Sequence, residues 1–228
     1  MIKLQNLPKN ITYKLIIAIL SLLLGYLGIN QLKLLNIKPA VEYQVLNVLD
    51  GDTFVINQSQ RVRLLGIEAP EEEYCLGKES KAYLESLVKD KKITLEEVAA
   101  DKWGRIIALA YVGDTLINEA VIQEGMAEYD GHKNSKADLL KQAEAEAKLE
   151  KIGIFSTQCT QPENLEDPNC SIKGNKRDNK KLYSFQGCSN YQRTVIELHK
   201  GDEWFCSEKE AQKHGFKKSG NCYDKSFK

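Results

Sequence analysis

The chain has 228 residues, of which 42% are hydrophobic and 28% are charged, and this ordinary globular composition excludes a wholly disordered or fibrous protein. Its 32 basic and 32 acidic residues balance, which excludes a uniformly cationic chain that coats nucleic acid. The charges are nevertheless segregated. Residues 1–41 carry five Lys and no acid, residues 42–159 carry 14 basic and 22 acidic residues, and residues 160–228 carry 13 basic and 10 acidic residues. The three segments are therefore expected to have different roles.

The first segment has the layout of an export signal. Lys3, Lys9 and Lys14 precede an uncharged run over residues 15–29. The run is short for a membrane span of about 20 residues, but apolar residues beyond it could extend a tilted helix. We expect an uncleaved membrane anchor or a cleaved signal, with a buried core helix as the remaining alternative. Either export reading places residue 42 onward outside the cytoplasm, facing the periplasm or the cell exterior.

Charge, hydrophobicity and the positions of Pro and Cys divide the chain into four predicted parts. Residues 1–40 form the predicted signal anchor and juxtamembrane stretch, and residues 41–157 form a central domain. Residues 158–168 are polar and contain two Pro, which favours a linker. Residues 169–228 form a small Cys-rich module that is too short to build a large core.

The central domain alternates between strand and helix patterns. Apolar residues at period two predict strands around 54–56 and 62–64, separated by a polar hairpin loop at 57–60. Further strands are predicted at 93–98 and 106–112, and helices at 78–89, 116–124 and 135–151. Short strands followed by helices predict an α+β fold, such as a small barrel with helices packed on it.

Two strand-flanking motifs carry charged side chains. In the turn at 50–53, we expect Gly51 to take a positive φ so that Asp52 presents its carboxylate at the start of the next strand. Arg63 lies between Val62 and Leu64 and therefore points to the face opposite theirs. A charge on an apolar central strand is costly without a partner, so an acidic partner is predicted for Arg63.

More charged residues follow at the strand end and in a later turn. Glu68 and Glu71 flank Pro70, and Asp101 and Arg105 bound a turn that leads into an apolar strand. Carboxylates and a backbone carbonyl are the hard oxygen ligands of Ca²⁺, and a free carboxylate can act as a general base. Arginine forks match phosphate oxygens and stabilise the charge of the transition state. The set predicts phosphodiester cleavage.

Four motifs occur in an order that resembles the staphylococcal (micrococcal) nuclease, or thermonuclease, family: DGDTF at 50–54, VRLLGIEAPE at 62–71, DKWGR at 101–105 and LINEAVIQEGMA at 116–127. The resemblance covers about half of the chain. It implies an OB-type five-stranded β-barrel with three helices. It also implies Ca²⁺-dependent hydrolysis of DNA and RNA that leaves 3′-phosphate ends.

The resemblance implies a ligand set for one Ca²⁺ ion. Asp52 and Glu68 would be the carboxylate ligands, and the carbonyl of Ala69 would be a third ligand. The family usually has Asp where this chain has Glu68, and often Thr where it has Ala69. Because Ca²⁺ tolerates flexible geometry, we expect binding to survive with a shifted ion.

The same resemblance implies the catalytic and substrate-binding roles. Glu71 would be the general base, and Arg63 and Arg105 would hold the scissile phosphate. Lys102 and Trp103 are candidate substrate contacts, with core packing as the commoner role of a Trp. The acidic central domain opposes long-range steering of a polyanion, so we expect weak, salt-sensitive binding by a monomer.

A rival function is a binding module of the same fold that is catalytically weak or inactive. Glu68 in place of Asp is the feature that favours this rival. The motif residues Asp52, Arg63, Glu71 and Arg105 are all present and favour the enzyme.

The six cysteines allow 15 disulfide pairings, and no CxxC zinc motif is present. The C-terminal module is similar to a small module found after nuclease domains of this type, and it faintly resembles the zinc-binding domain of the Ada DNA-repair protein. With an export signal, disulfides are favoured, and we suggest the pairs Cys170–Cys206, Cys188–Cys222 and Cys75–Cys159. A Zn²⁺ site built from Cys188, Cys206 and Cys222 with Cys170 or a His is the alternative. His199 and His214 are expected at the surface.

Overall fold

A computed structural model of the chain describes residues 17–25, 41–177, 180–223 and 225–227. Residues 17–25 form helix α1 of a first unit, and the described residues from 41 onward form a second unit. Most of the predicted signal anchor, including Lys3, Lys9 and Lys14, lies outside the described residues. Within the described part of the chain, no helix has both the length and the apolar character needed to cross a membrane.

Five strands of the second unit close into the expected barrel. The strands of this region are β1 (Glu42–Val48), β2 (Thr53–Ile56), β3 (Gln60–Leu64), β4 (Ile67–Glu68), β5 (Lys92–Ala100), β6 (Ile106–Val112), β7 (Thr115–Leu116) and β8 (Glu128–Tyr129). The barrel follows the order β3-β2-β1-β5-β6, and a parallel pairing of β3 with β6 closes it. Strand β7 pairs antiparallel with β6, and β4 pairs with β8 outside the barrel.

Three helices cover this barrel, as predicted from the sequence. They are α2 (Gly77–Val88), α3 (Ile117–Gln123) and α4 (Ala137–Glu150). The period-two residues Phe54, Ile56, Val62 and Leu64 are all buried in the core, where they meet Leu84 of α2. The α+β fold with an OB-type five-stranded barrel is confirmed.

The Cys-rich module forms its own small sheet. Its elements are β9 (Thr160–Gln161), β10 (Ile172–Arg177), β11 (Lys180–Ser184), β12 (Ile196–Glu197), β13 (Glu203–Phe205), helix α5 (Glu208–Lys213) and β14 (Lys217–Lys218). The four-stranded sheet has the order β13-β10-β11-β14, and Tyr183, Phe185, Phe205 and Phe216 fill its core. Residues 158–168, assigned to a linker from the sequence, contribute strand β9, which pairs with β12.

All six cysteines form disulfides, in the pairs Cys75–Cys159, Cys170–Cys206 and Cys188–Cys222. The disulfide prediction is confirmed, and the alternative zinc site has no thiolate left to bind the metal. Three disulfides indicate an oxidising compartment.

The prediction for the two histidines of the module is half wrong. His214 is partly exposed and its ring contacts Glu203, whereas His199 is only 5% exposed. His199 lies in a short 3-10 turn, residues 198–200, between strands β12 and β13.

Candidate active site

The turn between β1 and β2 presents Asp52 to the site. The backbone N–H of Asp52 donates to Asp50 Oδ1 at 3.0 Å, and the Thr53 hydroxyl donates to Asp52 Oδ1 at 2.8 Å. Gly51 does not take the positive φ expected from the sequence. A Cβ at Gly51 would lie 2.0 Å from Ser80 Oγ and 2.7 Å from Ala69 Cβ. The glycine is therefore needed for close packing against α2 and the strand-end loop.

Arg63 on β3 has the acidic partners that the sequence predicts. Its Nη1 donates to Asp52 Oδ1 at 2.6 Å, and its Nη2 donates to Glu68 Oε2 at 2.5 Å. The backbone N–H of Ala69 donates to the other Asp52 oxygen at 3.1 Å. The fold thus brings together the three predicted metal-site residues and one of the two predicted phosphate-binding arginines.

The carboxylates of this group outweigh the single guanidinium. Burial raises the pKa of Asp52, although Arg63 opposes the shift, and nearby Asp50 adds to it. Burial also raises the pKa of Glu68, with further contributions from Asp130, Glu71 and Glu128. A cation of higher charge would stabilise both carboxylates in their ionised form, so the donor set fits a hard divalent ion.

Glu71 lies in a tight loop that follows the metal-site residues. The loop is closed by the Tyr74 N–H, which donates to the Glu71 carbonyl at 2.9 Å. A Cβ at Gly77 would lie 1.9 Å from the same carbonyl oxygen, so only glycine lets α2 begin this close. The Glu71 side chain is exposed and lines a cleft of ≈ 380 Å³ together with Glu68 and Ala69. Its carboxylate is accessible to water.

Arg105 belongs to a second hydrogen-bonded group, centred on Asp101. The Asp101 carboxylate accepts bonds from Arg105 Nε at 2.7 Å and from the backbone N–H groups of Trp103 and Arg105, both at 2.9 Å. Trp103 is 70% exposed, and the Lys102 ammonium lies 4.3 Å from its ring centroid. Core packing, the commoner expectation for this Trp, is wrong, and the ring is open to solvent beside Arg61 and Arg105.

The sequence reasoning missed a contribution of the Cys-rich module to the cleft beside Glu71. Besides Glu68, Ala69, Pro70 and Glu71, this cleft is lined by Tyr74, Glu128, Lys176, Arg177, His199 and Lys200. The last four belong to the module. The balance of 13 basic to 10 acidic residues over residues 160–228 was the available signal, and it does not say which face of the module is basic.

Comparison with known proteins agrees with this architecture. Residues 61–157 match the family model described as "Staphylococcal nuclease homologue". An "Uncharacterized endonuclease" of Escherichia coli is 32% identical over 117 residues, which cover 50% of this chain and 76% of that protein. A protein of the same name from Haemophilus influenzae is 34% identical over 117 residues, covering 50% of this chain and 65% of that protein.

A "Thermonuclease" of Staphylococcus intermedius is 30% identical over 128 residues, which cover 50% of this chain and 75% of that protein. The order of motifs, the closed five-stranded barrel and these similarities agree with one another. The chain belongs to the staphylococcal nuclease homologue family and is a nuclease.

Proposed function

We propose that this protein is an exported, Ca²⁺-dependent nuclease that hydrolyses the phosphodiester bonds of both DNA and RNA and leaves 3′-phosphate ends. The observation that carries the proposal is the contact of Asp52 and Glu68 with one guanidinium, that of Arg63, at 2.6 and 2.5 Å. The two carboxylates converge and carry more negative charge than the one arginine neutralises. This arrangement suits a metal-assisted reaction on a phosphate.

Three residues would hold the ion: Asp52 and Glu68 through their carboxylates, and Ala69 through its carbonyl. When bound, Ca²⁺ would act as a Lewis acid that stabilises negative charge on the phosphate. The extra methylene of Glu68 lets its carboxylate reach Arg63 Nη2 from a β-strand end that is largely open to solvent. The residue that departs from the family pattern therefore still converges on the site.

The remaining steps fall to side chains of this chain. Glu71 would accept the proton of the attacking water, because its carboxylate is exposed in the same cleft as Glu68. Arg63 and Arg105 would bind oxygens of the scissile phosphate and stabilise its growing charge as the 5′ oxygen leaves. Exposed Trp103 and Lys102 would contact the neighbouring base and backbone.

The three disulfides support export, and we propose either an uncleaved signal anchor in the membrane or a secreted monomer after signal cleavage. The second candidate function is nucleic-acid binding without effective catalysis. The feature that favours this second candidate is Glu68, which stands where the family usually has Asp in the predicted metal site.

Digestion assays with the full chain in mild detergent separate the two functions. Plasmid DNA and single-stranded RNA are incubated with Ca²⁺ or with EGTA, using wild type, Glu71→Gln, Arg105→Ala and the control Glu150→Gln on the exposed end of α4. We expect Ca²⁺-dependent cleavage of both substrates, with kcat lower by roughly two decades or more in the first two variants and unchanged in the control. A folded wild type that binds DNA but cleaves neither substrate would favour the binding module.

A further inference from the structure

The cleft beside Glu71 has two walls of opposite charge. The barrel contributes the acidic residues Glu68, Glu71 and Glu128, and the Cys-rich module contributes the basic residues Lys176, Arg177 and Lys200. Without the module, a polyanion would approach Glu71 along an acidic wall, which repels it. The module therefore changes the electrostatics of the route to the predicted general base.

The three basic residues differ in how they are paired. Arg177 is held by Asp202 at 2.8 Å and Glu197 at 2.5 Å. Lys200 is held by Glu128 at 2.8 Å and Glu197 at 3.2 Å. Both are therefore already neutralised by carboxylates.

Lys176 is held by a neutral group instead. Its ammonium donates to the Tyr74 hydroxyl at 2.7 Å and lies 5.0 Å from the centroid of the Tyr74 ring. Among the described residues, no carboxylate forms an ion pair with it. The hydrogen bond to Tyr74 raises the pKa of Lys176, and the more distant charges of Glu73 and Glu71 act in the same direction. Lys176 is thus a fixed ammonium on the edge of the cleft that can take an anionic partner.

The module is fixed to the Glu71 loop, so this wall is not a loosely tethered appendage. The Cys75–Cys159 disulfide joins the loop to the segment that leads into the module. The Tyr74 ring packs on Gly201, where a Cβ would lie 2.6 Å from the ring. These contacts keep Lys176 on the same side of the loop as the cleft.

We propose that the Cys-rich module forms one wall of the substrate site, with Lys176 binding a backbone phosphate of the nucleic acid next to the scissile one. The ligand is the phosphodiester backbone of a single strand, recognised through its charge. This inference rests on the proposed nuclease function and adds a subsite to it. It also gives the chain a local source of affinity that offsets the acidic barrel.

The test measures binding separately from cleavage. All proteins are the full chain carrying Glu71→Gln, which prevents cleavage. Fluorescence anisotropy with a labelled 12-nucleotide single-stranded DNA in Ca²⁺ measures Kd as a function of salt concentration. Three proteins are compared: the parent, Lys176→Ala, and the control Lys217→Ala on edge strand β14. Loss of one phosphate contact should raise Kd about tenfold and lower the salt slope by about 0.7. The control should change Kd less than about twofold. Equal Kd values for Lys176→Ala and the control would overturn the proposal.

Kinetic measurements on proteins that retain Glu71 then identify the role of Lys176. We expect Lys176→Ala to raise KM for single-stranded DNA with kcat nearly unchanged, and to leave hydrolysis of a nitrophenyl phosphodiester of thymidine unaffected, because that substrate has no neighbouring phosphate. Faster cleavage by the variant would show that Lys176 obstructs the cleft, and would overturn the proposal.

Tyr74→Phe keeps the ring and removes the hydrogen bond. If Lys176→Ala and Tyr74→Phe both lowered kcat on the small substrate, Lys176 would be a positioning residue and the phosphate subsite would be wrong. A wild type that binds DNA through Lys176 but cleaves nothing would refute the proposed nuclease function and leave the subsite intact.

Discussion

The barrel and the Cys-rich module are packed side by side in one compact unit, yet their interiors are built differently. The barrel core is a continuous cluster of aliphatic and aromatic side chains supplied by the five barrel strands, the short strands β4 and β7, and three helices. The module's cluster is less than half that size, and Cys188 and Cys222 are two of its members. A domain of about 60 residues buries only enough apolar surface for marginal stability, and disulfides add to it.

This difference has a functional consequence. The barrel positions Asp52 and Arg63 through strand register, because Thr53 pairs with Arg63 and places the two charged side chains next to each other. The module positions Lys176 on a strand whose neighbours are held by cross-links, so the basic wall of the cleft depends on oxidation. Reducing conditions should therefore affect the module and its contribution to substrate binding before they affect the barrel.

The largest expected effect comes from removing one module cross-link. Cys188→Ala with Cys222→Ala should lower the free energy of unfolding of the module by about 2–5 kcal/mol, because the unfolded segment regains the freedom that the cross-link removes. Hydrogen-exchange mass spectrometry measures this locally. Amides of β10 and β11 should exchange at least about thirtyfold faster, while those of β3 and β6 keep their wild-type rates.

Alanine at both positions is the appropriate change because both side chains are buried and a serine would bury an unpaired hydroxyl. Equal acceleration in the barrel strands would mean that the two regions unfold together, and the comparison between them would fail. Unchanged exchange in β10 and β11 would mean that packing alone stabilises the module.

A smaller effect is expected in the barrel from its buried amide, Asn118. Asn118 Oδ1 accepts from the Ala110 N–H at 2.9 Å, and Nδ2 donates to the Leu65 carbonyl at 2.8 Å. Asn118→Ala leaves both backbone groups buried without partners and should cost roughly 2–3 kcal/mol. Urea unfolding measures the loss, and Gln123→Ala on the exposed end of the same helix, α3, is the matched control.

We expect the control to change the free energy of unfolding by less than about 0.5 kcal/mol. If Asn118→Ala were equally mild, strand and helix packing alone would hold α3 against the barrel. Exchange of the module's amides should stay at the wild-type rate in both variants, since neither alters its disulfides.

The elements that could be predicted from sequence are those with a regular period. The alternation of Phe54 with Ile56 and of Val62 with Leu64 gave strands whose ends differ little from those observed, because period-two burial is a local property of the chain. The partner of Arg63 was also predictable in kind, since a charge on an apolar strand requires one. Its identity, Asp52 and Glu68 together, depends on register.

The module was harder because its contacts are set by tertiary packing. Val195, Ile196 and Leu198 precede His199, but local sequence does not reveal that the buried ring lies within 4.8 Å of the Glu128 carboxylate, because that proximity is tertiary. The position of Lys176 beside Tyr74 joins residues 102 apart in the chain, and short-range patterns carry no information on such a pair. The role of Gly51 was likewise misread, because close packing and positive φ both select glycine.

The smallest expected effect is a pH dependence that belongs to the module. Burial lowers the pKa of His199 to about 4, with Glu197 and Asp202 opposing the shift and Lys200 reinforcing it. In the unfolded chain His199 is protonated near pH 6.5, whereas in the folded chain it is protonated only near pH 4. Its contribution to stability is therefore full above pH 6.5 and is lost as the pH falls from 6.5 to 4. The loss should be about 2 kcal/mol between pH 7 and pH 5. Urea unfolding at both pH values, with hydrogen exchange of the module's amides, measures this loss of stability. Wild type and the control His214→Gln should both show the loss, whereas His199→Leu should remove it. Persistence of the full loss in His199→Leu would assign it to carboxylates instead.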